Sequence, residues 1–348
     1  LEHKDSISKR SDFMKKIMND PKDFVKEEVE GIIAAYGDKI SLLNDDFRMV
    51  IRKDAPVKGK VGIVTGGGSG HLPLFLGYVG EGMLDGCAVG NVFASPASSK
   101  MADLIRACDA GAGVLCLFGN YGGDLLNFKM ACEDVEFDDI KTEILLGADD
   151  VASSPVETKE KRRGVAGIVY AYKIAGAAAD KMMSLDEVVR VTKKALENMY
   201  TMGIALSPCI VPEVGKPTFH IEEDELEFGM GIHGEKGIEV KKFTTADEIA
   251  TNMLDKILEE ADLKSGDEVS VMINGLGATP TEEQFIIFRK VSQILKDKGV
   301  QIVMPHIGEY ATSMEMAGLS LTVLKLDEEL KDLLRYPAST PFYTNSNK

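Results

Sequence analysis

Along the first half of the chain, short apolar runs alternate with segments whose apolar residues recur at helical spacing. Val61–Thr65, Gly86–Gly90, Gly113–Phe118 and Thr142–Gly147 are short, mostly apolar and close on turn-forming residues, which is how buried strands read. Between them, Ser98–Asp109 and Leu125–Val135 carry the period of a helix. Strand, loop and helix repeated at this pitch predict an α/β sheet covered by helices. Gly164–Lys181 is rich in Ala and Gly and predicts a closely packed core helix. A second helix is predicted over Ser184–Tyr200, with Ser184 and Glu187 spaced as a capping box.

A second unit begins near Thr201. Ile204–Val211 and Phe228–Ile232 read as strands separated by a Pro-containing, acidic loop. Ala246–Ala261 and Glu282–Lys298 read as helices, and Glu268–Ile273, Val300–Met304 and Ser320–Leu326 as strands. Asp149–Arg163 and the acidic run Glu222–Glu227 read as loops, the latter solvated. The expected organisation is a polar N-terminal extension over 1–13, an N-terminal α/β domain over 14–200 and a C-terminal α/β domain over 201–348. In open α/β sheets, ligands sit at the carboxyl ends of strands. That rule nominates Gly66–His71, Asn91–Ser95, Asn120–Asp124, Ile232–Gly237 and Asn274–Thr279.

The 348 residues, 44% of them hydrophobic, are enough for two cores of this kind. The net charge of −16 repels nucleic acid and anionic membrane, so neither is an expected partner. No apolar run approaches the roughly 18–20 residues that span a bilayer, and no signal peptide is evident. Cys87, Cys108, Cys116, Cys132 and Cys209 form no CxxC pair and read as thiols in a reducing cytoplasm.

Among the nominated loops, Gly66-Gly-Gly-Ser-Gly-His71 fits neither nucleotide fingerprint. A Rossmann loop needs a small residue where His71 stands, and a P-loop needs a Lys after its last Gly. The bland reading is a tight strand-to-helix turn; the functional one is close backbone approach to a small ligand, with His71 for proton chemistry. Asp124, in Asn120-Tyr-Gly-Gly-Asp124, either takes a proton from a substrate hydroxyl or caps the helix starting at Leu125. His233 stands between glycines in Gly229-Met-Gly-Ile-His-Gly-Glu-Lys-Gly237, a setting that favours function over packing. His220 reads as a surface residue and His306 as a structural one. No histidine pair has zinc-site spacing, and no metal or cofactor is expected on this chain.

With these loops in place, the chain resembles the dihydroxyacetone-binding (K) subunit of dihydroxyacetone kinases. GGGSGH (66–71), VGEGM (79–83), GNVFASP (90–96), NYGGDLLNF (120–128), RRGVAG (162–167), KIAGAAA (173–179), GMGIHGEKG (229–237), MINGLG (272–277) and LTVLKLDEEL (321–330) occur in family order from about residue 14 onward. The resemblance implies two α/β domains with the ligand site near their interface. It implies that His233 adds to a ketone to form a reversible hemiaminal, that His71 and Asp124 relay protons at the substrate hydroxyl, and that Gly68, Ser69 and Gly70 form the backbone loop around the substrate. It further implies a cytoplasmic homodimer working with an L subunit that carries Mg and ATP or ADP. That nucleotide is in some systems recharged by a phosphotransferase M subunit.

Two positions depart from the family's best-known pattern. Gly119 stands where a Lys precedes the Asn-Tyr motif, and Leu72 where a Glu follows the loop histidine. The Gly-Asn-Tyr variant resembles K-type domains linked to slightly longer ketoses such as erythrulose, which implies a larger pocket. The alternative to an enzyme subunit is a ketose-binding co-regulator of transcription that makes the adduct without turnover.

Overall fold

The computed structural model describes residues 15–346, so the predicted extension over 1–13, with His3, lies outside the described residues. Helix α1 (Phe24–Tyr36) buries Val25, Val29 and Ile32. A sheet follows, built from β1 (Ile40–Leu42), β2 (Met49–Arg52), β3 (Gly62–Ser69), β4 (Gly86–Val92), β5 (Val114–Gly119) and β6 (Thr142–Gly147), with helices α2 (Ser98–Cys108) and α3 (Gly122–Glu136) between its later strands. The strand order is β1-β2-β4-β3-β5-β6. The four strands legible in the apolar pattern, β3 to β6, pair parallel. The antiparallel edge formed by β1 and β2 was not legible, because strands of 3 and 4 residues are too short to display a period.

The glycine run corrects the sequence reading. Gly66–Ser69 is not a turn but the last half of β3, extended and buried. The absent side chains make room for neighbours: a Cβ on Gly67 would meet the Phe75 ring at 2.3 Å, and one on Gly68 would meet the Ala94 amide nitrogen at 2.6 Å. The chain turns only at Gly70, where φ is +95°.

Helix α4 (Ile168–Asp180) is the core helix that its Ala-rich pattern predicts, buried from Ile168 to Ala179. Helix α5 (Leu185–Glu197) starts at the expected capping box but stops short of Tyr200. The second sheet comprises β7 (Met199–Ser207), β8 (Glu225–Phe228), β9 (Glu239–Lys242), β10 (Glu268–Gly275), β11 (Gln301–Ile302), β12 (His306–Gly308) and β13 (Ala317–Leu326). It runs in the order β11-β10-β13-β7-β8-β9, with β12 also on β10. Helices α6 (Ala246–Leu258) and α7 (Thr281–Asp297) flank it. Helix α8 (Glu328–Arg335), capped by Asp327 and burying Leu330, Leu333 and Leu334, was missed from sequence. The strands β14 (Ala338–Ser339) and β15 (Thr344–Asn345) close the chain.

Three expectations fail in this second half. The acidic run enters β8 at Glu225, and Glu227 is buried, its carboxylate accepting the Gly237 amide at 2.8 Å. Alternation of Leu226 and Phe228 with acids marks a strand, not a solvated loop, and of its four residues Glu225 alone keeps partial exposure. The strand predicted over Phe228–Ile232 ends at Phe228, and Val300–Met304 shrinks to β11. The second sheet, for which the sequence predicts no pairing direction, is largely antiparallel (β10–β13, β13–β7, β7–β8, β8–β9).

The two sheets meet along the loop after β12. The Thr312 amide donates to the His71 carbonyl at 3.2 Å, and the Met314 amide to the Gly70 carbonyl at 2.8 Å. The C-terminal segment also returns to the first half, Thr340 Oγ1 donating to the Gly77 carbonyl at 2.8 Å. Among the described residues no helix is long and apolar enough to cross a membrane. Cys87, Cys108, Cys116 and Cys209 are buried free thiols, and Cys132 is half-buried.

Candidate active site

His71 is the first residue beyond the Gly70 turn, and its side chain is enclosed. Its Nδ1 lies 2.7 Å from the Thr312 carbonyl oxygen. A carbonyl only accepts, so Nδ1 carries the proton and Nε2 holds a lone pair. That Nε2 is buried without a hydrogen-bond partner. Burial, with His233 beside it, depresses the His71 pKa to about 3, so the ring is neutral around pH 7.

The glycines of β3 shape this environment indirectly. Because Gly68 has no side chain, the turn at Phe93–Ala94 closes directly on the strand. Phe93, held at φ +57°, then stacks on the His71 ring with centroids 4.8 Å apart. The Ser69 hydroxyl is committed to the Gly90 carbonyl at 3.0 Å, and the Gly70 carbonyl to Met314.

Asp124 sits in the first turn of α3, which begins at Gly122, so it is not the cap that one reading made it. Its carboxylate is buried, and Oδ1 has no hydrogen-bond partner. Burial raises its pKa to about 6, against the opposing effects of a hydrogen bond from Ser95 and of His233. An acid so placed changes charge just below neutrality, where general bases work best.

His233 comes from the hairpin loop between β8 and β9, not from the carboxyl end of a parallel strand. Its Nδ1 is 2.8 Å from Glu235 Oε1, and its backbone amide donates to Glu235 Oε2 at 2.9 Å. Burial alone would raise the Glu235 pKa, but these bonds outweigh it and hold the carboxylate at about 2. An ionised carboxylate only accepts, so Nδ1 of His233 is also the protonated nitrogen and Nε2 the free one. Three rings meet His233 edge-on: His71 at 4.7 Å, Tyr121 at 4.8 Å and Phe93 at 5.3 Å between centroids.

The fold therefore brings together three residues nominated separately: His71 after β3, Asp124 after β5 and His233 after β8. Others stay apart. His220 is exposed and paired with Glu222. His306 lies between the Tyr170 hydroxyl at 3.3 Å and the Tyr343 hydroxyl at 3.2 Å. Asn274 is consumed internally: its Oδ1 accepts the amides of Tyr310 and Ala311, and its Nδ2 donates to the Ala311 carbonyl and Ser320 Oγ. Leu72 is half-buried against the main core, and a side chain at Gly119 would start 3.1 Å from the Tyr121 ring.

The nominated loops contain Phe93, Tyr121 and Glu235, but sequence reasoning did not single out these residues, and Thr312 lies outside the loops. The HxE spacing in the glycine loop was a usable signal for Glu235. Thr312 contributes only a carbonyl, which any residue could supply.

The Dak1 domain matches residues 30–342. The chain belongs to the Dak1 family. This Dak1 chain is 43% identical over 330 residues to "PTS-dependent dihydroxyacetone kinase 2, dihydroxyacetone-binding subunit DhaK" of Listeria innocua serovar 6a, covering 95% of this chain and 99% of that one. It is 41% identical to the L-erythrulose kinase of Pectobacterium atrosepticum, but spans only 56% of that longer protein. Among solved structures it superposes on the dihydroxyacetone kinase operon co-activator Dha-DhaQ with a TM-score of 0.86. There the identity is 30%, and 92% of this Dak1 chain and 98% of the co-activator are covered.

Proposed function

We propose that this chain is the ketose-binding subunit of a dihydroxyacetone-type kinase. It binds dihydroxyacetone, or a related short ketose such as erythrulose, as a hemiaminal on His233 and presents a hydroxyl for phosphorylation. The observation that carries this reading is the pairing of His71 and His233, each with Nδ1 occupied and Nε2 unengaged, beside the buried carboxylate of Asp124.

The chemistry follows from these atoms. His233 Nε2 supplies an electron pair to the ketone carbon and a C–N bond forms. The C=O π pair moves to oxygen, and Glu235 holds the ring charge that develops. The ring keeps its Nδ1 proton, hydrogen-bonded to Glu235, and the new alkoxide takes its proton from solvent to become the hydroxyl. Such a bond selects ketones over polyols, because a polyol has no carbonyl carbon to attack. The single proton of the terminal hydroxyl goes to Asp124, ionised above about pH 6, with the lone pair of His71 Nε2 as the alternative acceptor in the relay.

Phosphoryl transfer itself is positioning of the nucleotide donor and charge neutralisation by metal ions. Those are assigned to an L subunit carrying Mg and ATP or ADP, with a phosphotransferase M subunit as the recharging partner in a phosphoenolpyruvate-driven system. Among the described residues no three His, Cys, Asp or Glu side chains group to hold a metal ion. The cytoplasmic homodimer implied by the resemblance belongs to the same proposal.

A second reading has its own support, since the co-activator shares the fold at the identity given above. Adding an L subunit, Mg-ATP and dihydroxyacetone separates the two. Ketose phosphate formed in proportion to this chain supports the kinase subunit, and adduct without turnover supports the co-regulator.

A further inference from the structure

The paired arginines of the RRGVAG motif have no part in the chemistry above, yet both are largely buried. Arg162 forms a fork with Glu260, at 2.8 and 2.6 Å, and so ties the 149–163 loop to the end of α6. Arg163 points the other way, into the hairpin loop that carries His233. Its Nη2 donates to the Gly229 carbonyl at 3.0 Å and its Nη1 to the Glu235 carbonyl at 3.4 Å. Nη1 also lies 4.0 Å from the Glu235 carboxylate. The guanidinium is anchored from behind by Asp150, whose Oδ2 accepts from Nε at 2.9 Å and pairs with Nη2 at 2.8 Å. Asp150 is fixed in turn by the Ala152 amide on Oδ1 and by its own amide, which donates to the Arg163 carbonyl. The packing admits nothing else: a Cβ on Gly231 would stand 2.6 Å from Nη1.

The geometry points to Arg163 as the positioning residue for His233. One planar fork grips the first carbonyl of the loop and the carbonyl of Glu235, the residue that fixes the His233 ring. Among the described residues the loop's other hydrogen bonds lie at its neck, Gly229 to Gly203, Ile238 to Phe228 and Gly237 to Glu227, and within it, Gly231 to Glu235, Gly234 to Gly231 and His233 to Glu235, while Met230 and Ile232 are buried. Without the fork, Glu235 and with it the direction of the His233 Nε2 lone pair lose their outer support. A lysine cannot replace it, because a single ammonium that stays on Asp150 cannot also span both carbonyls. This inference rests on the proposed adduct for its effect on catalysis, but not for its effect on the ring.

The test uses Arg163→Lys in the full chain, with Asp150→Asn/Arg163→Gln as a second variant that leaves no buried charge unpaired. Thermal melting first establishes that each is folded. Nitrogen-15 NMR of histidine-labelled protein without ketose then reads the His233 tautomer, the resonance being assigned with His233→Asn. The wild type should show a fixed Nδ1–H form and the variants an averaged one. With dihydroxyacetone, an L subunit and Mg-ATP, KM should rise at least tenfold while kcat stays within threefold, because Asp124 and His71 are untouched. A folded variant with wild-type tautomer pattern and wild-type KM overturns the inference. If the wild type itself forms no adduct, the ketose reading fails, and the NMR arm still decides the role of Arg163.

Discussion

The imidazoles of His71 and His233 stand edge to face, 4.7 Å between centroids, although one follows a strand of the first sheet and the other lies in a hairpin of the second. Each ring has its Nδ1 held by an oxygen of fixed acceptor character, a carbonyl for His71 and a carboxylate for His233. The two anchors differ in charge, and so do the tasks the rings can perform. His71, beside a neutral carbonyl and fully desolvated, stays uncharged. His233, beside an anion, is placed to tolerate positive charge of the kind that the proposed attack on a carbonyl carbon would develop.

Asp124→Asn should slow phosphoryl transfer at least about 100-fold, the usual contribution of a positioned base, while leaving the ketose adduct in place. In the wild type, turnover at saturating ketose should rise with pH through about 6 and then level off. The linkage sign follows from the same shift. A carboxyl whose pKa is raised on folding contributes stability that is present below its unfolded value near 3.8 and is lost as pH rises through 6. The variant should therefore melt no lower than the wild type at pH 7. A flat rate profile together with an unchanged rate would remove Asp124 as the base.

Glu235→Gln keeps the shape but replaces a charged acceptor by a neutral one. Charge-assisted bonds exceed neutral ones by about 1–2 kcal/mol, so dihydroxyacetone should bind roughly tenfold more weakly by calorimetry. Because folding depresses the Glu235 pKa to about 2, its stabilising contribution is present above about pH 4.5 and fades as pH falls toward 2. Acid unfolding of the variant should lack that component.

How far the sequence reveals this site depends on the kind of residue. His71, Asp124 and His233 were legible because each carries chemistry inside a glycine-marked loop. Glu235 was visible in the same segment but indistinct among neighbouring acids. Thr312 and Phe93 were not legible, since their roles arise only when the loop after β12 and the turn after β4 close over β3. The parallel core was readable from its apolar runs, whereas the β8–β9 hairpin was masked by charged residues of both signs in its two strands. The glycine run misled locally: it reads as a turn, but its glycines serve close packing of Phe75 and the 93–94 backbone.

Gly68→Ala tests that last point. The new Cβ would sit 2.6 Å from the Ala94 nitrogen and 2.9 Å from Phe93 Cα, against backbone that cannot yield cheaply. Overpacking of this kind costs about 1–3 kcal/mol, read as a lower urea midpoint with unchanged slope. The displaced Phe93 should also weaken ketose binding. An unaltered midpoint would mean the 93–94 turn is free to move.

Gly119→Lys addresses substrate size. The long side chain must pass the Tyr121 ring, 3.1 Å from its first carbon, and occupy space at the site. Turnover of erythrulose relative to dihydroxyacetone should fall in the variant. Wild-type activity confined to dihydroxyacetone, with no binding of erythrulose, would defeat the larger-pocket account.

The central claim is covalent capture by His233, and a crystal structure of the chain soaked with dihydroxyacetone tests it most directly. The account predicts continuous density from His233 Nε2 to a tetrahedral C2 of the ketose, with a terminal hydroxyl between Asp124 and His71 Nε2. A planar, intact carbonyl held at van der Waals distance from an unmodified His233 would contradict it.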